Sequence, residues 1–158
     1  MTATESDEIA PDAMWLANLH DVYMTGNLMR TLMDGSPLGA VEEFDVSNRG
    51  RLERCWYRDL YVLLEAWERQ PLQRTAWLRP LAPSAFDEVT AIMARSDSDE
   101  RRTALRNVRD YMSHRDHREY WDAGRCAVAK VGLDFATELG IAFGRYFLLA
   151  LRAQSSGK

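Results

Sequence analysis

"RLERCWYRDLYVLLEAWER", residues 51–69, decides the fold. Leu52, Trp56, Leu60, Leu63 and Trp67 recur every three or four residues, the period that gathers side chains on one face of an α-helix. A row of leucine and tryptophan this regular must be buried, so the helix needs other helices to pack against. On its N-terminal side, a run from about Asp12 to Asp34 sets Trp15, Leu19, Val22, Leu28, Leu32 and Met33 near one broad face and stops at "DGSPLG", where glycine and proline break it. "EEFDVSNRG", residues 42–50, reads as a connection with at most a short helical turn. On the C-terminal side, "QPLQRTAWLRPLAP" is interrupted by Pro71, Pro80 and Pro83 and reads as a loop, after which Ser84 is placed to cap a helix reaching about Ala94.

"SDSDERRTAL", residues 96–105, has the serine, aspartate and glutamate that open a helix, and Leu105, Val108 and Met112 carry it inward to about Ser113 or His114. A connecting segment through Gly124 leads to a last helix near Leu133, where Phe135, Leu139, Ala142, Tyr146 and Leu149 form a narrow seam suited to helix packing. No period-two strand pattern is present. The expected fold is therefore all-α, a helical bundle of four main helices with one or two short extra ones. It occupies a single domain over residues 11–153, between disordered tails at 1–10 and 154–158.

Hydrophobic residues at 46% and charged residues at 28% fit a globular chain with a real core. The opening "MTATESDEIAPDA" has neither the basic start nor the apolar run of a secretion signal. Cys55 and Cys126 fall in apolar helical patterns and read as core thiols, which suits a cytoplasmic protein. Asp134, Glu138 and Arg145 interrupt the most apolar stretch, so no membrane association is expected from it.

A net charge of −4 excludes a protein that coats nucleic acid over its whole surface. Locally the sign reverses. From Arg101 to Arg118, six arginines face only Asp110 and Asp116. Within this stretch "RDYMSH" holds Arg109, Asp110 and His114. Such residues have the chemistry to cut RNA: attack of a 2'-hydroxyl on its neighbouring phosphate needs a group to take or orient the proton and a fixed positive charge beside the phosphorane. An imidazole exchanges protons near neutral pH and a guanidinium grips two phosphate oxygens, so no metal cofactor is required.

"RDYMSH" resembles the motif of the HEPN superfamily, small all-α bundles with an Arg, four to six residues and a His, often with a polar residue directly after the Arg. The resemblance implies a metal-independent endoribonuclease of toxin or defence type, with Arg109 and His114 as catalytic residues and Asp110 and Asn107 in support. It further implies a homodimer with apposed motifs, an RNA substrate, and an antitoxin or regulatory protein partner. Arg106, Arg115, Arg118 and Trp121 are the nucleic-acid-binding candidates around it. One departure stands out: some HEPN toxins carry a tyrosine two residues after the histidine for modification by the antitoxin, and Asp116 occupies that place here, with Tyr111 and Tyr120 out of register. Other HEPN-like proteins are catalytically inactive binding or scaffold modules.

An ideal helix separates Arg109 from His114 by about 140°, while Asp110 lies about 40° and Asn107 about 20° from the histidine. Two arrangements bring the pair together: a distortion of the helix near His114, or two copies sharing one cleft. A different chemistry is offered by His114 and His117 with His20, a triad that would resemble DinB-type four-helix metalloproteins. Of the five tryptophans, Trp77 and Trp121 are the two placed to stack on an unpaired base, since Trp56 and Trp67 belong to the inward row.

Overall fold

The computed structural model describes residues 11–34, 42–69, 72–114 and 126–156. They form α1 (Pro11–Asp34), α2 (Glu42–Glu68), α3 (Leu72–Leu81), α4 (Pro83–Met93), α5 (Ser98–Ser113), α6 (126–131) and α7 (Leu133–Ser156), with no strand among the described residues. The all-α bundle expected from the periodicity is what the chain forms. No helix among these residues is long and apolar enough to cross a membrane.

α2 sits at the centre, packed on α1, α5 and α7, while α3 and α4 also pack on α7. The reason lies in its sequence. Trp56, Leu60, Leu63 and Trp67 are all buried as their spacing requires, and Leu52 is partly so, but Tyr57, Tyr61 and Leu64 are buried as well. A helix with a second buried row has neighbours on two sides. Its Trp67 is boxed by Phe86 of α4 and by Phe143 and Tyr146 of α7, with ring centroids 4.8–5.5 Å away. Such tilted and edge-on pairs add about 0.5–1.5 kcal/mol each beyond the area they bury.

Several expectations are corrected. α2 begins at Glu42, so "EEFDVSNRG" is helical rather than a connection. The proline-punctuated stretch is the helix α3, with Pro80 inside its last turn. A proline there forfeits one bond near the helix end, where carbonyls lack helical partners in any case. The carbonyl of Leu78 is taken instead by the buried Tyr146 hydroxyl, which donates to it at 3.0 Å, while the Ala82 N–H turns back to Arg79. Trp77 thereby lies in a helix and packs partly against the core rather than standing in a loop. α4 starts with Pro83 at its first turn and Ala82 as N-cap, leaving Ser84 exposed.

α7 buries Phe135, Leu139, Ala142 and Tyr146 as expected, yet Leu149 is 40% exposed and Ala136, Phe143, Phe147 and Ala150 are buried in addition. Its seam is broader than a two-position stripe because α2, α3, α4 and α1 all pack on it. In α1 Leu19 is buried and Trp15 and Val22 partly so, as expected, and Leu16 is buried in addition, whereas Leu28 is 54% exposed. Cys126 is exposed and Cys55 half-buried, so only Cys55 approaches the core role expected of both. α7 runs on to Ser156, past the boundary expected at 153.

Candidate functional site

α5 carries the arginine-rich motif, and each of its ends is shaped by a specific contact. At its start, Ser98 is buried and its hydroxyl donates to the Ile92 carbonyl at 2.7 Å, closing α4 rather than capping α5. Asp97 holds the N-cap position without a side-chain cap bond, and its carboxylate accepts from Arg101 Nε at 2.8 Å. Ala104, Leu105 and Val108 fix the buried face against α2, with Met112 partly buried beyond them.

The helix ends at Ser113. His114 is its C-cap, with φ −124° and ψ 49°, and its backbone N–H donates to the Asp110 carbonyl at 2.9 Å. Helical φ is about −63°, so the chain has turned by roughly 60° about the His114 N–Cα bond. The exposed His114 side chain therefore departs from the regular helical spiral of α5.

Arg109 lies one turn back. Its guanidinium carbon is 4.9 Å from the centroid of the Tyr61 ring on α2, and its Nε is 3.0 Å from Asp110 Oδ1. Successive residues on a helix do not face each other. The Nε is buried without an aligned hydrogen bond, so the contact with Asp110 is Coulombic. The side chain remains 32% exposed.

The Asp110 carboxylate meets Arg109 and its backbone carbonyl accepts from the His114 N–H, so one residue is tied to both members of the pair. Asn107 is half-buried on the same helix. The other arginines divide by role. Arg101 donates to the Val131 carbonyl at 2.9 Å and lies over the Phe135 ring, fastening α5 to the turn before α7. Arg102 is gripped by Asp99 and Glu68, and these hydrogen-bonded carboxylates hold its proton more firmly than usual. Arg106 is exposed and has no ion pair among the described residues.

Beside Arg109 the seam between α2 and α5 opens into a groove of about 230 Å³, lined by Tyr61, Leu64, Glu68, Asp99, Arg102, Thr103 and Arg106. Tyr61 is the residue that sequence reasoning missed. It touches the motif arginine and the groove at once, and only its position four residues before Glu65 and four after Tyr57, beside the leucine-tryptophan row, could have placed it facing a neighbour.

Arg115, Arg118 and Trp121 lie outside the described residues, as do Asp116 and His117. Among the described residues no three His, Cys, Asp or Glu side chains gather as a ligand set. His20, the third member of the imagined triad, lies edge-on to Phe147 of α7 at 5.8 Å. Comparisons with protein-family models, curated proteins and solved structures give no match at all.

Proposed function

We propose that this chain is a HEPN-like, metal-independent endoribonuclease of toxin or defence type, working as a homodimer. The observation that carries the reading is the double tie of Asp110, ion-paired to Arg109 and hydrogen-bonded to the backbone of His114, at a helix end where the imidazole is exposed. In this reading Arg109 neutralises the charge that builds on the phosphorane, and His114 takes the proton of the attacking 2'-hydroxyl. Asp110 keeps the guanidinium in place and Asn107 supplies a neutral hydrogen-bonding group alongside. Arg106, with Arg115, Arg118 and Trp121, extends the nucleic-acid contact, and a protein antitoxin is the natural restraint on such an activity.

The test is incubation of the purified protein with mixed RNA in excess chelator, beside His114→Ala and Arg109→Ala. The native chain is expected to cleave, and each variant to lose activity by about 10²-fold or more, the usual worth of a proton-transfer group or a charge-stabilising donor. Equal cleavage by all three, or none by the native protein, overturns the nuclease reading.

A second reading has its own observation. The buried Nε and the stacking on Tyr61 are also how an arginine packs as a structural strut, the arrangement of a catalytically inactive HEPN-like binding or scaffold module. That reading predicts RNA binding without product in the same assay.

A further inference from the structure

Apart from Arg106, the residues lining the groove between α2 and α5 have no part in the roles above. Its walls are predominantly polar: the Thr103 side chain, two carboxylates and two guanidinium groups surround a narrow floor of Tyr61 and Leu64. Leu64 is 1% exposed and Tyr61 9%, with the Arg109 guanidinium carbon 4.9 Å from the Tyr61 ring centroid, so the floor offers little open aromatic surface. A base seeking to stack finds no platform there. Glu68 and Asp99 both pair with Arg102, and Arg106, without an ion pair among the described residues, brings the four lining charges to zero.

Carboxylate acceptors, a Thr103 hydroxyl that donates to the Asp99 carbonyl at 2.9 Å and keeps its lone pairs, and the exposed Arg106 guanidinium match a ribose-phosphate unit, whose 2'-hydroxyl donates and whose phosphate accepts. The groove adjoins Arg109 through Tyr61, and Arg106 stands three residues before Arg109, about 4.5 Å along the helix axis. We propose that this groove is a sugar-phosphate subsite for the nucleotide adjoining the phosphate held by Arg109, reading single-stranded RNA through its backbone and without base preference at that position. The proposal rests on the ribonuclease reading and names how its substrate is held.

Three decameric RNAs, of A, of U and of C, and a DNA decamer serve as probes, with binding by the native full-length chain and by Arg106→Ala measured across a salt series. Arg106→Ala is expected to weaken all three RNAs by the same factor and to lower the slope of log affinity against log salt by about 0.7, the value for one phosphate contact on a single strand. DNA is expected to bind more weakly than RNA to the native protein, and Thr103→Leu, which crowds the groove from an exposed position, to raise KM while leaving kcat near native. An effect of Arg106→Ala on one homopolymer only, an unchanged salt slope, or equal affinity for DNA and RNA overturns the subsite. If the native chain cleaves and Arg109→Ala abolishes this while Arg106→Ala and Thr103→Leu change nothing, the subsite is lost and the nuclease reading stands. If the native chain does not cleave at all, both are lost.

Discussion

At the scale of single residues, the most consequential polar group outside the motif is Asp59. It is buried on α2 against Gly26 of α1, where a Cβ on the glycine would come within 3.2 Å of the Asp59 Cβ. Arg58 contacts its Oδ1 at 2.7–2.8 Å, yet Oδ2 is buried with no hydrogen-bond partner. Burial outweighs the neighbouring arginine and raises the carboxyl above its ordinary value. The folded state therefore binds its proton more tightly than the unfolded state, and folding is favoured where the group is protonated. Stability from this residue is lost as pH rises from the ordinary carboxylate value through the raised one, and the deficit persists at neutral pH. Asp59→Asn is expected to be more stable than the native chain at about pH 7 and equal to it at about pH 3, where both carry a neutral side chain. Denaturant titrations at the two pH values check this. A less stable Asn variant at neutral pH would mean that the Arg58 pair outweighs the burial.

Among the elements, legibility followed how strongly each pattern was tied to one local cause. α5 was bounded correctly because acids and serine mark its start and its apolar positions stop before His114. α2 and α7 were recognised, but their second buried rows were not, since a narrow stripe says nothing of how many neighbours a helix will have. α3 was hidden by its prolines. Its last turn is completed by a hydroxyl 68 positions away in sequence, a partner that no local window contains. The break between α6 and α7 is another such case. Gly132 has φ +76°, and a Cβ there would run into the Arg101 guanidinium that holds the Val131 carbonyl. Gly132→Ala is expected to cost about 1–3 kcal/mol through left-handed strain and the displaced arginine. Because Arg101 ties this turn to α5, hydrogen exchange should accelerate in α6 and the first turn of α5 before it does in α2. A loss confined to α6 would show that the Arg101 tie contributes little.

For the whole molecule, the proposed ribonuclease reading allows the motif to act within one chain or across two. The sequence marked the candidate motif and the end of α5, but not Tyr61 or the double tie of Asp110, because helix angles alone do not fix a side chain's partner on another helix. The structure takes His114 off the regular spiral of α5, whereas the HEPN resemblance implies a cleft shared by two chains. The two arrangements make opposite predictions for mixed subunits. In a shared cleft, a dimer of one Arg109→Ala and one His114→Ala chain retains the histidine of the first beside the arginine of the second, and so keeps one working pair. Random assortment of equal amounts makes half the dimers mixed, each with one of two pairs intact, so about a quarter of native activity should return on co-refolding the two inactive variants. Pairing within a chain leaves every subunit defective, and no activity returns. Cleavage of a labelled RNA by the separate variants, by their mixture and by the native protein distinguishes the two. Recovery would also locate the active unit at a two-fold axis, where α5 of one copy faces α5 of another.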